Sequence, residues 1–305
     1  MIKRGIFARP GALIAIIVAI VTAVAVANQS HSATPYPDAA SARFSVTVTG
    51  EGPDIILIPG LASSGAVWDG TVARFKGQYR FHVLNLAGFA GEPAAANANG
   101  DIIVPSVDAV DAYIKAQGLR KPTVVGHSMG GLMALMLARS HSDSAGKLVI
   151  VDALPFVGLI FNPNATVEAM APQAAAMRDG LMAAPADTFA AHQRGSAGRL
   201  VTKPADLENV VAWSVNSDRR VFAQSFYEDT IIDLRPELKA IATPTVVIVP
   251  VATGFGMTTE ATLSFYKAAY AGQPNVTFVP VDNSLHFVML DQPETFATAL
   301  ETSLK

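Results

Sequence analysis

The chain has 305 residues, of which 50 % are hydrophobic and 15 % charged, enough apolar material for a sizeable core and too little charge for a disordered chain. Its formal charge of −3 comes without any basic stretch, which argues against nucleic acid as a main partner. Cysteine is absent, which excludes a thiol nucleophile, a cysteine metal site and any disulfide.

The chain opens with Lys3, Arg4 and Arg9, followed by a run from Ala12 to Ala27 that is apolar but for Thr22. Ala25 and Ala27 place small residues at the −3 and −1 positions of a cleavage site. This is the layout of a secretory signal peptide over residues 1–27. The run falls short of the roughly 20 residues needed to span a bilayer. The expectation is therefore an exported protein, periplasmic or secreted; the alternative is an uncleaved anchor with the folded part facing outside. Residues 28–42, polar and carrying two prolines, read as a linker into a domain over residues 43–305.

Beyond the linker, short β-branched runs alternate with helical stretches. Strands are expected at 44–49, 54–58, 79–86, 122–125, 147–151, 244–250 and 275–281. Several are continuously apolar, as in strands covered on both faces. Helices are expected at 106–118, 129–140, 258–272 and 292–304. Strand and helix in alternation mean a mostly parallel sheet with helices on both faces. One stretch breaks the rhythm: residues 155–232 contain no good strand and read as a helical cap. Met170, Met177, Met182, Phe156, Phe161, Phe189, Trp213 and Phe222 give it an apolar character, divided between cap core and pocket lining.

At the junction of a strand and a helix the chain reads "PTVVGHSMGGLMALML". A strand that ends and a helix that begins within a few residues need a sharp turn. Gly126 and Gly130 let the chain close on itself there, and Gly131 lets the helix approach the neighbouring strand. Ser128 is thereby projected from the carboxyl edge of the sheet, with the Met129 N–H at a helix N-terminus placed to stabilise an oxyanion. The plainer reading is a glycine turn with a capping serine. The strand before and the helix after favour a nucleophile.

A serine nucleophile needs a base. Of the six histidines, His31 lies in the linker, His82 in a strand, His141 at the end of a helix and His192 in the cap, while His127 adjoins the serine and should point elsewhere. His286 lies just after the last strand, in a loop that leaves the sheet at the same edge as Ser128.

In "IILIPGLASSGAVW", "GHSMGG", the helical cap and "HFVMLDQPETF", the chain resembles the α/β-hydrolase family over nearly all of its length after the leader. The resemblance implies an eight-stranded-type, mostly parallel sheet, with serine, acid and histidine in that order along the chain. It makes Ser128 the nucleophile and His286 the base, and adds the Leu61 N–H to that of Met129 as the second oxyanion donor. The turn before Leu61, commonly His-Gly, is Pro59-Gly60 here. The acid departs from the common pattern, because the loop after the penultimate strand offers no carboxylate before Glu260. Some members carry the acid after the strand that follows the nucleophile helix, a place filled by Asp152. Glu260, Asp233 and Asp282 remain alternatives.

Such a site is built for acyl transfer, and the expectation is a serine hydrolase cleaving carboxylic esters through an acyl-enzyme, on small-molecule substrates with an apolar group. No cofactor, metal or obligate protein partner is implied. A serine in this position disfavours the carboxylate-attack chemistry that the resemblance associates with epoxide hydrolases and haloalkane dehalogenases. The runner-up is an amidase of the proline-iminopeptidase kind, which would need a cap carboxylate for a substrate ammonium, with Glu168, Asp179, Glu228 and Asp229 as candidates. A non-catalytic binding protein on the same scaffold is the alternative from another class. A lipid-surface role ranks below these, since no amphipathic basic helix is present.

Overall fold

The computed structural model describes residues 42–305; the leader, and all of the linker but its last residue, lie outside the described residues. Seven strands, β1 (Phe44–Gly50), β2 (Asp54–Ile58), β3 (Arg80–Leu86), β4 (Thr123–His127), β5 (Lys147–Val151), β6 (Thr245–Val251) and β7 (Val276–Asp282), form one sheet in the order β1-β3-β2-β4-β5-β6-β7. All neighbours from β3 to β7 are parallel. Only β1 runs antiparallel, pairing along its whole length with β3 from Phe44↔Leu86 to Gly50↔Arg80. In place of the eight-stranded type, the described residues form seven strands, one from each β-branched run.

The inner strands β2, β4, β5 and β6 read as largely apolar runs because both faces are covered. Alternate residues of β2 enter opposite cores: Ile56 and Ile58 face one, Ile55 and Leu57 the other, and all four are buried. The first core is closed by α2 (Ile103–Ala116), α3 (Met129–Ser140) and α8 (Thr259–Ala269) through Val107, Val110, Leu132 and Tyr266. The second is closed by α1 (Asp69–Phe75) and α10 (Pro293–Leu304) through Phe75, Phe296 and Leu300, with the four-residue α9 (Val288–Asp291) leading into α10.

Four helices lie between β5 and β6: α4 (Val167–Ala183), α5 (Ala186–Ala197), α6 (Pro204–Val215) and α7 (Arg219–Ile231). The last of them is the anchor. Glu228 of α7 is buried and accepts hydrogen bonds from the Ile102 and Ile103 N–H groups at the start of α2, at 3.0 and 2.7 Å. It thereby stands in for the cap that α2 lacks locally, since Ile102 has no capping side chain. This explains why α2 begins at Ile103 rather than at the expected residue 106. At the other end of α7, the Asp218 N–H donates to the Gly88 carbonyl at 2.7 Å. Among the described residues no helix is long and apolar enough to cross a membrane.

Parallel pairing has one consequence that matters for function: the loops after β2, β4, β5, β6 and β7 all leave the sheet at the same edge. Ser128, Asp152 and His286 follow β4, β5 and β7, and Pro59-Gly60-Leu61 follows β2. Their convergence is set by topology, as expected at the carboxyl ends of an open α/β sheet.

Candidate active site

Ser128 has φ 54° and ψ −124°, in a region that costs a non-glycine residue free energy and persists only where the surroundings enforce it. Two neighbours show how. A Cβ on Gly126 would collide with the Gly130 backbone, and a Cβ on Gly130 would collide with the Ile58 and Pro59 carbonyls. The Ser128 N–H donates to the Val151 carbonyl at 3.0 Å and ties the turn to β5. The Ser128 side chain caps nothing, so the plain reading as a helix-capping serine does not hold. Met129 opens α3 and has no carbonyl one turn behind it to accept its N–H. The Leu61 N–H likewise has no acceptor among the described residues.

Asp152 also takes a positive φ, 45°, at the end of β5, with its N–H donating to the Ile248 carbonyl of β6. Its Oδ2 accepts from His286 Nδ1 at 2.6 Å. Its Oδ1 accepts from the Tyr266 hydroxyl, so both carboxylate oxygens are held. Burial, followed by the Asp152 charge, raises the Tyr266 phenol well above its ordinary range and keeps it a donor. The other three acid candidates are engaged elsewhere or exposed. Asp233 pairs with Arg235 at 2.6 Å, Asp282 accepts from Thr259 Oγ1 at 2.9 Å, and Glu260 is exposed in the first turn of α8.

The loop carrying His286 is fixed from two sides. Asp291 is buried and accepts from the Leu285 N–H, the Thr202 N–H and Thr202 Oγ1, each at 2.8 Å, which joins the loop to the segment between α5 and α6. His127 Nε2 lies 3.0 Å from the His286 carbonyl, and the two imidazole centroids are 4.5 Å apart. A carbonyl can only accept, so His127 carries its proton on Nε2, which leaves Nδ1 a bare acceptor with no partner. Burial, reinforced by His286, lowers the His127 imidazole well below its usual range and keeps it neutral. Of the other histidines, His82 is buried against Tyr113 and Asp54, His141 pairs with Asp108 and Asp111, His192 of the cap lines the larger cavity beside Ser128, and His31 lies outside the described residues.

Two cavities open beside Ser128 and His286, of about 280 and about 90 Å³. The larger runs past Gly60 and Leu61 under the inserted helices, and the smaller lies against Asp152, Leu132 and Tyr266. The Ser128 Oγ–His286 hydrogen bond is not formed in this structure, as is common where a substrate has yet to tighten the geometry. Of the eight apolar cap residues singled out in the sequence, Phe161, Met177 and Phe222 line the larger cavity. Phe156 and Met170 belong instead to the sheet core, and Phe189, Trp213 and Met182 do not reach either cavity.

Residues 55–299 match the model of the alpha/beta hydrolase family. The chain belongs to the alpha/beta hydrolase family. Among curated proteins it is similar to the pimeloyl-[acyl-carrier protein] methyl ester esterase of Vibrio atlanticus (strain LGP32), 35 % identical over 108 residues, 35 % of this chain and 39 % of that protein. The corresponding esterase of Vibrio cholerae is 34 % identical over 108 residues, covering 35 % and 40 %. The match thus spans about two fifths of the length of these relatives. Among solved structures, the enol-lactonase from Burkholderia xenovorans LB400 superimposes with a TM-score of 0.69 at 18 % identity, covering 86 % of this chain and 96 % of that one. An esterase from Exiguobacterium antarcticum gives 0.71 at 18 % identity, over 85 % and 94 %. At that identity the likeness establishes the fold.

This alpha/beta hydrolase also presents a carboxyl group whose place the sequence left open. Asp229 of α7 lines both cavities together with Ser128 and His286. Burial pushes its carboxyl up to about 7 from the usual 3.8, while His286 pulls it down. The raised value has a consequence for stability. Between about pH 4 and 7 the unfolded chain releases this proton and the folded protein keeps it, so stability falls as pH rises through that window and levels off above it. Asp229→Asn should remove this decline, raising stability at pH 8 by no more than about 4 kcal/mol while leaving it unchanged near pH 3.5. Thermal unfolding of both proteins from pH 3.5 to 8.5 measures the difference, and parallel curves across that range would contradict it.

Proposed function

We propose that this chain is an exported serine hydrolase that cleaves carboxylic esters through an acyl-enzyme. The observation that carries this reading is the 2.6 Å bond from His286 Nδ1 to Asp152, which fixes the imidazole with Nε2 free to take a proton at the cavity wall shared with Ser128. In this mechanism Ser128 Oγ attacks the ester carbonyl as His286 Nε2 accepts its proton. The carbonyl oxygen becomes an oxyanion stabilised by the Leu61 and Met129 N–H groups. The alcohol departs with the proton that His286 returns. Water, deprotonated by the same imidazole, then releases the acid and restores the serine. Export rests on the leader sequence alone.

The two unequal cavities support a substrate with one long apolar group and one short one. The methyl ester in the names of the curated relatives agrees with a short alcohol. For a proline-iminopeptidase-like activity the cap offers little. Glu168 and Asp179 are exposed and Glu228 is bound to backbone, so Asp229 alone of the four faces the cavities. The binding-protein alternative, which an acid missing from its common place would favour, loses force with Asp152 bonded to His286.

The experiment is a matrix of esters, acyl chains from four to twelve carbons crossed with methyl to hexyl alcohols, with an aminoacyl anilide alongside. The expected result is kcat/KM highest for a medium or long acyl group on methanol or ethanol and falling at least tenfold for hexyl esters. Turnover of the anilide with all esters inert would replace this reading with the amidase.

A further inference from the structure

Five residues line both cavities: Ser128, Val157, Ile160, Asp229 and His286. Three are polar, and the mechanism uses only Ser128 and His286. Asp229 is flanked on α7 by polar groups that are already satisfied. Glu228 accepts from the start of α2 and from Gln224 Nε2, and Thr230 Oγ1 donates to the Phe226 carbonyl. Among the described residues, nothing donates a hydrogen bond to Asp229 and no cation pairs with it. What remains of its surface opens into the cavities.

A carboxyl group held against apolar walls without a partner costs free energy, and it does nothing for the fold here. Its position beside the reacting groups means that a bound molecule can supply the missing donor. We propose that Asp229 is a specificity-determining residue that accepts a hydrogen bond from a hydroxyl group lying within a few bonds of the scissile carbonyl. The inference rests on the ester-hydrolase reading and names its substrate class as hydroxylated esters. A neutral donor fits better than an ammonium. The charge that acts on Asp229 is that of His286, which the proposed mechanism turns into a cation, and no second carboxylate lines either cavity apart from Asp152, which His286 and Tyr266 already occupy. The hydroxyl can sit on the acyl chain or on the alcohol, because Asp229 borders both cavities.

Two matched pairs separate these sources: methyl 3-hydroxybutyrate against methyl butyrate, and 2-hydroxyethyl butyrate against propyl butyrate. Methyl 3-aminobutyrate reports on an ammonium. The parent should favour the hydroxylated member of at least one pair by tenfold or more in kcat/KM. Asp229→Leu should bring that ratio close to one, whereas Asp229→Asn, whose amide oxygen still accepts, should retain part of it. Equal ratios in the parent and in Asp229→Leu overturn the proposal. A preference for the amino ester that both substitutions abolish overturns it in favour of charge recognition. If the parent hydrolyses no ester, the proposed function fails, and the affinities of the same two matched pairs for the Ser128→Ala protein still decide this point. Tighter binding of the hydroxylated member of either pair that is lost in the Asp229→Leu background supports Asp229, and equal affinities within both pairs sink it.

Discussion

Ser128→Ala should lower kcat/KM for a methyl ester by a factor on the order of 10⁵, with little change in thermal stability. The loss is large because the proposed covalent step has no substitute: water must then attack a carbonyl that the site was shaped to present to Oγ. A residual rate above that in water is still expected, since the Leu61 and Met129 amides continue to polarise the bound ester. The fold should tolerate the change because Ser128 Oγ makes no hydrogen bond and caps no helix. Alanine pays the same positive-φ cost that serine already pays, since both carry a Cβ. Labelling by a fluorophosphonate should disappear with the activity. Activity within tenfold of the parent, on protein shown to be folded, would remove Ser128 from the mechanism.

The contrast between Glu228 and Asp229 shows where reading the chain as a string stops. The two are adjacent, chemically alike and were equal candidates for binding a substrate ammonium. Successive residues on a helix point about 100° apart, so Glu228 meets the N-terminus of α2 while Asp229 meets the cavities. Nothing local decides which is which; the docking of α7 does. The same holds for the Met and Phe residues of the cap, where core and cavity positions call for the same side chains. What is local was legible. The seven strands follow from β-branched runs, the five inner ones buried on both faces, and Ser128 follows from glycines whose Cβ atoms would have nowhere to go. The position of His286 needed only the order of the last strand and helix.

The carboxylate that bonds His286 was harder to place, because it reaches the imidazole across strands. Asp152 and His286 are distant in sequence, and only the order β5-β6-β7 brings the ends of their strands to one edge. Tyr266 carried no signal at all: its contact with Asp152 exists only once α8, packed on β6 and β7, brings the phenol to the end of β5. Asp291 lay in a quoted motif, but its bonds to Thr202 and Leu285 exist only once the segment between α5 and α6 has folded back onto the last loop.

Tyr266 also determines what the loss of the Asp152 charge should do. In Asp152→Asn the amide has one acceptor oxygen, and two donors compete for it: the Tyr266 hydroxyl and His286 Nδ1–H. The phenol keeps its proton across the working pH range even without that carboxylate, because burial is the largest cause of its raised pKa. The asparagine oxygen therefore settles on Tyr266 and turns its NH₂ toward His286. Nδ1 must then accept, so the imidazole carries its proton on Nε2, the one nitrogen that has to be bare to activate Ser128. The expected result is a fall in kcat of about 10³ to 10⁴, with KM changed by less than about threefold. Tyr266→Phe alone should be mild, since Asp152 still orients His286. Added to Asp152→Asn, it frees the amide to turn its oxygen toward Nδ1 and should recover tenfold or more, so that removing a second group improves a damaged enzyme. Glu260→Gln, exposed and far from this exchange, should be close to neutral. An Asp152→Asn protein within about threefold of the parent would mean that another group orients His286, and a double variant worse than Asp152→Asn would mean that Tyr266 does more than hold a carboxylate.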